Sequence, residues 1–247
     1  MKIGLIGAGS MATALARGWQ EPVVVSDPNE ARARDLVAEM GGTVAANNAE
    51  VAESVDVVVL CHKPAQLDEV AAEIDGLAKS VVSILGSVTV AEVRAAYTVS
   101  PAYRVLPNLP VELRKGVLCW PLSNGGEGDA IRDHFADLGR LIELDEAIIE
   151  EAMALSSNAP GFLAFVVEAF VEAGVAHGLS TELATELVTA TMVGTSALLD
   201  ARDGDAGRLR REVCSPGGST ERGVAALESA GIRQAFLDAV EAVVAPK

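Results

Sequence analysis

A glycine-rich turn near the N-terminus constrains the fold more than any other segment of the chain. The turn, Gly7-Ala8-Gly9-Ser10-Met11-Ala12, follows a short apolar strand at Lys2–Ile6 and opens a helical pattern. In Rossmann domains the first glycine makes a tight turn, the second lets the backbone approach a pyrophosphate, and a small third residue lets helix and strand pack closely. The pattern predicts a dinucleotide site at the helix start, with a ligand-free turn as the alternative. The residues assigned to it are Gly7, Gly9, Ser10 and Met11.

Short β-branched runs alternate with helical patterns until about Leu141. The runs at 55–60 and 81–85 lack polar alternation, as expected of strands covered on both faces. Strand–helix alternation predicts an α/β fold, here a Rossmann domain with a doubly wound, mostly parallel sheet. The predicted strands are Lys2–Ile6, Pro22–Ser26, Val55–Leu60, Ser80–Leu85, Tyr103–Leu106 and Val117–Trp120, and the predicted helices are Ser10–Gln20, Asn29–Met40, Pro64–Asp75 and Thr89–Ala96.

From Asp145 onward the chain has helical patterns only, so we place a domain boundary near residue 148. Residues 1–148 are predicted to bind the dinucleotide, and residues 149–247 to form an all-α domain. The longest apolar stretch, Ala159–Ala176, contains Glu168 and Glu172, which favours a buried helix over a membrane span. Its apolar stripe at helical spacing predicts core or a subunit interface rather than a ligand pocket.

The chain carries a formal net charge of −16 over 247 residues. This charge argues against nucleic acid and anionic membrane as partners, and it means that any anion must be bound by local donors. The three separated cysteines and three histidines have no metal-ligand spacing, so no metal site is expected. The cysteine usage suits a reducing compartment and the strand begins at once, so we expect a cytoplasmic protein with no signal peptide.

Asp27 directly follows the second predicted strand, 20 residues beyond Gly7. A carboxylate at this position accepts hydrogen bonds from the adenosine ribose and repels a 2′-phosphate, which favours NAD over NADP. Arg32 and Arg34 follow closely and are able to bind a phosphate, so NADP remains open. Asp27 as the N-cap of the next helix is the alternative.

The strand ending at Leu60 leads into Cys61-His62-Lys63-Pro64, in the loop that faces the nicotinamide half of the cofactor in Rossmann domains. His62, Lys63 and Pro64 are therefore assigned to cofactor binding. Lys63 is a candidate donor, and Pro64 suits the first position of a helix. For His62, general acid and ordinary surface hydrogen bonding are the other two interpretations.

These motifs together resemble the pyrroline-5-carboxylate reductase family. The resemblance spans nearly the whole chain and includes Arg104-Val105-Leu106-Pro107-Asn108-Leu109-Pro110 and Cys214-Ser215-Pro216-Gly217-Gly218-Ser219-Thr220. It implies NAD(P)H-dependent reduction of Δ1-pyrroline-5-carboxylate to L-proline, as in proline biosynthesis. It also implies that Asn108 binds cofactor and that the all-α domain binds substrate and forms a homodimer or a ring of dimers.

The loop before residue 221 also predicts an anion site from its residue types. Gly217 and Gly218 let consecutive backbone N–H groups face a small carboxylate, and Ser219 or Thr220 can start a helix. An ordinary helix cap after a tight turn is the alternative. We assign Ser215, Gly217, Gly218, Ser219 and Thr220 to the substrate, with the Thr220 hydroxyl at the imine nitrogen as the candidate catalytic group.

The chain departs from the family pattern at several positions that bear on the substrate. These are Leu109, Ser157-Asn158-Ala159, Gly161-Phe162, Ala190 and Gly204-Asp205-Ala206. Another cyclic imine is therefore an alternative substrate, and a non-catalytic dinucleotide-binding protein is an alternative function. A β-hydroxyacid-type dehydrogenase would carry a catalytic lysine on the first long helix of the second domain, but Ala159–Ala176 contains none.

Overall fold

The computed structural model describes residues 1–126 and 128–244. The chain divides into two compact units, Met1–Pro160 and a second unit that begins at Gly161. The first unit extends past residue 148 because the helix at Ile149–Ser156 packs into it. Ile149 is buried there against Leu106 and Cys119.

A six-stranded sheet forms the centre of the first unit, and all its pairings are parallel. Its strands are β1 (Ile3–Ile6), β2 (Val23–Ser26), β3 (Gly42–Val44), β4 (Val57–Leu60), β5 (Val81–Ser83) and β6 (Ala102–Arg104). The strand order is β3-β2-β1-β4-β5-β6, which confirms the predicted doubly wound Rossmann sheet. The order reverses between β1 and β4, and in such folds ligands bind outside the carboxyl ends of the strands at this point.

The described residues of the first unit form seven α-helices: α1 (Ser10–Trp19), α2 (Glu30–Met40), α3 (Asn48–Ser54), α4 (Leu67–Ile74), α5 (Val90–Ala96), α6 (Asp129–Ala136) and α7 (Ile149–Ser156). Helix α1 buries Ala12 and Leu15 in the core that contains β1, so Ala12 provides the close packing predicted for the third position of the turn. Helix α3 is not predicted by the sequence pattern, since its seven residues are too few for a clear 3.6-residue period.

A second, three-stranded sheet contains β7 (Leu106–Pro107), β8 (Gly116–Pro121) and β9 (Gly139–Leu144). The predicted strand Tyr103–Leu106 is therefore divided between two sheets, and the predicted strand Val117–Trp120 lies outside the main sheet. At Arg104, where β6 ends, the Asn124 side chain binds both backbone groups: Oδ1 accepts from the N–H at 2.9 Å, and Nδ2 donates to the carbonyl at 2.7 Å.

The described part of the second unit is helical and consists of most of α8 (Ala159–Ala176), then α9 (Thr181–Asp200), α10 (Ala206–Val213), α11 (Ser219–Ser229) and α12 (Ile232–Val244). The all-α prediction is thus confirmed. The prediction that Ala159–Ala176 is a buried helix is wrong for the single chain, because no residue of α8 is buried and Phe165 is 71% exposed. By length and composition alone, residues Glu146–Ala176 are also apolar enough to cross a membrane.

Candidate active site

A cleft of about 920 Å³ opens where β1, β2 and β4 end, at the reversal of strand order. Five residues predicted to bind cofactor line this one cleft: Gly7, Gly9, Asp27, His62 and Lys63. The volume falls in the range of roughly 300–1,000 Å³ that is usual for small-molecule and cofactor sites. The structure thus brings together residues that are up to 56 positions apart in the chain.

The glycine turn joins β1 to α1 in a conformation that only glycine adopts readily at Gly7, where φ is +104°. A Cβ on Gly7 would lie 2.6 Å from the Cys61 carbonyl oxygen, so the turn packs directly on the end of β4. A Cβ on Gly9 would meet no atom within 4 Å. Gly9 is also the N-cap of α1 and has no side chain to cap it, so the first N–H groups of the helix are left for a ligand.

Asp27, directly after β2, is hydrogen-bonded to the glycine turn. Its Oδ2 accepts a hydrogen bond from the Ala8 N–H at 2.7 Å, and its Oδ1 accepts one from the Asn29 N–H at 2.7 Å. The N-cap of α2 is Asn29, whose side chain accepts from the Ala31 N–H. The alternative of Asp27 as that N-cap is therefore wrong, and its carboxylate instead orders the turn from the cleft side.

The two arginines after Asp27 differ in their surroundings. Arg34 forms an ion pair with Glu30 at 3.0 Å. Arg32 lines the cleft, and its guanidinium has no hydrogen bond or ion pair among the described residues. Of the two, Arg32 is therefore the cation available to a ligand at this end of the cleft.

A chain of polar side chains crosses the same end of the cleft and was not foreseen from the sequence. Ser26 Oγ donates to Asn48 Oδ1 at 2.6 Å, and Asn48 Nδ2 donates to Glu73 Oε2 at 2.6 Å. All three residues line the cleft. The only sequence signal was the Asn47-Asn48 pair, since asparagine favours helix N-caps and Asn47 caps α3.

His62 has one ring nitrogen bonded and the other buried without a partner. Its Nδ1 lies 2.9 Å from the Lys63 carbonyl, which only accepts, so Nδ1 carries the proton. Nε2 is then an acceptor, and it has no hydrogen-bond partner among the described residues. Burial lowers the pKa of His62 despite the opposing effects of the Lys63 carbonyl and of Glu69. A neutral acceptor is poorly suited to the general-acid interpretation.

The remaining residues assigned to the cofactor lie outside the set that lines the cleft. Ser10 opens α1, Met11 packs against the core, and Pro64 begins a 3₁₀ turn. Asn108 is buried, with 6% of its surface exposed. Its Nδ2 donates to the Ser156 carbonyl and its Oδ1 accepts from the Val117 N–H, so its side chain holds the protein's own backbone.

The cleft fits a nicotinamide dinucleotide on three independent features of its lining. These are the open helix start at Gly9, the fixed carboxylate of Asp27 and the unpartnered Nε2 of His62. The charge balance is acidic, because four carboxylates and two cations line the cleft: Asp27, Glu30, Glu50 and Glu73 against Arg32 and Lys63. A pyrophosphate must therefore be held by backbone N–H groups rather than by net charge.

In the second unit, the predicted substrate loop leads into α11. This helix begins at Ser219 after the N-cap Gly218, and no side chain caps it. The N–H groups of both glycines are already used: Gly217 donates to Glu221 Oε2 at 2.7 Å, and Gly218 donates to the Ser215 carbonyl at 2.9 Å. The prediction that the glycines supply the free donors thus differs from the structure.

An apolar groove of about 400 Å³ lies between α8 and the last two helices of the second unit. Its lining includes Phe162, Phe165, Phe170, Leu227, Ile232 and Phe236. Exposed aromatic surface of this kind is typical of a protein–protein interface.

Curated relatives cover almost the whole chain. A pyrroline-5-carboxylate reductase from Synechocystis sp. is 30% identical over 254 residues, which cover 98% of this chain and 95% of the relative. One from Corynebacterium melassecola is 31% identical over 258 residues, which cover 97% and 95%. The chain belongs to the pyrroline-5-carboxylate reductase family.

Two family models match separate parts of this pyrroline-5-carboxylate reductase family member. The model described as pyrroline-5-carboxylate reductase dimerisation matches residues 146–246. The model described as NADP oxidoreductase, coenzyme F420-dependent, matches residues 2–87, which include the glycine turn and the His62 loop. The crystal structure of the Plasmodium falciparum pyrroline carboxylate reductase with NADP bound aligns with a TM-score of 0.87 at 26% identity, covering 99% of this chain and 95% of that one.

Proposed function

We propose that this protein reduces Δ1-pyrroline-5-carboxylate to L-proline with a nicotinamide dinucleotide. The observation that carries the proposal is a pair of helix starts, each preceded by glycine and each without a side-chain cap. One is Gly9 before α1 and the other is Gly218 before α11. Each exposes N–H groups in a positive field, one suited to a pyrophosphate and the other to a small carboxylate.

The cofactor, when bound, supplies a hydride to the imine carbon. In this proposal Gly7 sets the turn, the first N–H groups of α1 bind the pyrophosphate, and Ser10 and Met11 contribute through their backbone. His62, Lys63 and Pro64 form the loop beside the nicotinamide half, where the neutral Nε2 of His62 accepts a hydrogen bond. For Asn108 we propose an indirect role, in which it holds the backbone and does not contact the cofactor, because both polar groups of its side chain bind backbone groups of the protein.

NADH is proposed as the preferred cofactor, with NADPH as the alternative. The carboxylate of Asp27 is fixed by two backbone N–H groups and would repel a 2′-phosphate. Arg32 is the feature that favours NADPH, because no carboxylate of the described residues pairs with it. The ratio of kcat/KM for the two cofactors decides between them.

The substrate carboxylate is proposed to bind at the start of α11, on the N–H groups of Ser219 and Thr220, with Ser215 and Gly218 shaping the turn. The Thr220 hydroxyl then hydrogen-bonds the imine nitrogen and stabilises its proton. A protonated imine is already electrophilic, so correct positioning supplies most of the rate. No charged side chain is needed as an acid in this scheme.

Self-association is proposed through the apolar face of the second unit. The matched dimerisation model covers α8 to α12, and α8 has no buried residue within its own chain. A homodimer, alone or within a ring of dimers, would cover this face. We further propose a cytoplasmic location and a functional division of the chain near residue 148, where the dimerisation segment begins.

The test is the oxidation of NADH and of NADPH by the purified protein with Δ1-pyrroline-5-carboxylate, with a six-membered cyclic imine in parallel. We expect turnover of the five-membered substrate, and we expect Thr220→Ala to lower kcat/KM at least tenfold while cofactor affinity is unchanged, because it removes one hydrogen bond at the reacting nitrogen. Faster turnover of the six-membered imine would favour the alternative substrate. Cofactor binding with no turnover of either imine would refute the proposal.

A further inference from the structure

Both backbone groups of Gly217 are held by charged side chains. Its N–H donates to Glu221 Oε2 at 2.7 Å, and its carbonyl accepts from Arg222 Nη1 at 2.8 Å. Gly217 has φ of +71°, a left-handed conformation. Glu221 and Arg222 are the third and fourth residues of α11, so the first turn of the helix reaches back and holds the loop that precedes it.

These contacts determine which donors of the loop remain free. The Gly218 N–H donates to the Ser215 carbonyl, and a Cβ on Gly218 would lie 2.6 Å from Ser215 Oγ, so the turn leaves no room for a side chain at this position. With the N–H groups of Gly217 and Gly218 used internally, the free backbone donors at the helix start are those of Ser219, Thr220 and Glu221, since the first helical bond is donated by Arg222 to the Gly218 carbonyl.

We propose that Glu221 and Arg222 are positioning residues for the substrate: by fixing the backbone of Gly217 at both its N–H and its carbonyl, they orient the free N–H groups of Ser219 and Thr220 toward the substrate carboxylate. The inference rests on the proposed function of the loop. The two side chains contribute opposite charges, so together they add no net charge to the anion site. Their effect on the substrate is therefore geometric.

An ordinary capping box accounts for only part of this arrangement. In a capping box, the side chain at the third helical position binds the N–H of the N-cap residue. Here Glu221 binds the N–H of the residue before the N-cap, and Arg222 additionally binds the carbonyl of that same residue. Fixing the N–H and the carbonyl of one residue fixes the two peptide units that flank it. This restricts rotation about φ and ψ of Gly217, which a glycine otherwise permits.

The charge of Glu221 makes a geometric role distinguishable from an electrostatic one. If Glu221 acted only through its charge, its removal would strengthen the binding of an anionic substrate, and Glu221→Ala and Glu221→Gln would behave alike. If it acts through geometry, Glu221→Ala weakens binding, whereas Glu221→Gln keeps an acceptor for the Gly217 N–H and stays close to wild type. Arg222→Lys likewise keeps a donor for the carbonyl, and Arg222→Ala does not.

The experiment measures KM for Δ1-pyrroline-5-carboxylate, KM for NADH and the melting temperature for the wild type and these four variants. Glu241→Ala on α12 is the matched control, because Glu241 is exposed and makes no ion pair among the described residues. We expect KM for the imine to rise about tenfold in each alanine variant, as for the loss of one charge-assisted hydrogen bond, with KM for NADH unchanged.

The outcomes separate the inference from the function on which it rests. Wild-type turnover with unchanged KM for the imine in Glu221→Ala and Arg222→Ala would overturn the inference alone, as would equally tightened binding in Glu221→Ala and Glu221→Gln. A lower melting temperature of the alanine variants with a wild-type KM for the imine would show that the two side chains only stabilise the helix start, and it would overturn the inference as well. An inactive wild-type protein would overturn the proposed function and the inference together.

Discussion

Alanine at either glycine of the cofactor turn should separate folding from cofactor binding, because the two positions differ in what a methyl group would meet. At Gly7, where φ is +104°, the new Cβ would lie 2.6 Å from the Cys61 carbonyl oxygen and 3.1 Å from the backbone nitrogen of His62. At Gly9, where φ is −78°, it would meet nothing within 4 Å. Gly7→Ala should therefore damage the fold, and Gly9→Ala should damage the site.

The expected magnitudes follow from these contacts. For Gly7→Ala, backbone strain costs about 1–3 kcal/mol and crowding against backbone about 1–3 kcal/mol more. A total of about 2–6 kcal/mol lowers the melting temperature by about 4–24 °C in a chain of this size. For Gly9→Ala, weaker capping and the stiffer unfolded chain offset each other, so stability changes by less than about 1 kcal/mol. Loss of two charge-assisted bonds to the pyrophosphate, about 3 kcal/mol, raises the Kd for NADH about 100-fold.

Thermal unfolding followed by circular dichroism measures the first effect, and titration calorimetry with NADH and NADPH measures the second. Ala8→Gly serves as a control that adds no atom to the turn. Wild-type NADH affinity in Gly9→Ala would refute the assignment of the pyrophosphate to this helix start. An unchanged melting temperature in Gly7→Ala would refute the contact between the turn and β4.

Two further predictions concern polar side chains that stabilise the first unit. Glu146 is partly buried, which opposes ionisation, but hydrogen bonds from the Val90 N–H, Ser123 and Arg104 outweigh this and lower its pKa. Its stabilising effect is thus complete above the usual carboxyl pKa and is lost as pH falls through the lowered value. Arg104, the partner of Glu146, is only 1% exposed, so Glu146→Gln should lower the free energy of unfolding in urea by about 2 kcal/mol at pH 7. The variant should also lose this dependence of stability on pH. An unchanged loss of stability at acid pH in the variant would contradict the prediction. Asn108→Ala should lower the free energy of unfolding by about 2–3 kcal/mol and leave the Kd for NADH unchanged, because the side chain binds only backbone groups of the protein. A tenfold higher Kd for NADH at unchanged stability would instead show that Asn108 binds the cofactor.

The parts of the fold that were predictable are those that repeat a local pattern. The turn after β1 and the apolar runs of β4 and β5 identify a parallel sheet because both faces of these strands are buried. The placement of β8 in a second sheet was not predictable in this way. A strand buried on both faces has the same composition in either sheet, and its partners are residues distant in the chain, such as Leu141, which is paired with Leu118.

The site was predictable to the level of motifs but not of individual hydrogen bonds. Asp27 was identified by its spacing from Gly7, whereas its bond to the Ala8 N–H depends on how β1 and β2 are placed side by side. Glu221 carried a readable signal, an acidic residue three positions after an N-cap, but the target of its carboxylate depends on the left-handed turn at Gly217. Spacing along the chain locates such residues without specifying their partners.

The exposed apolar surface of α8 has a consequence for the stability of the folded protein. Because no residue of that helix is fully buried by its own chain, much of the free energy of burying side chains such as Phe165 is gained only when a second molecule arrives. Under the proposed self-association, folding and assembly become one coupled equilibrium, and protein concentration acts on it as a ligand does. Simple dilution would then act as a denaturant.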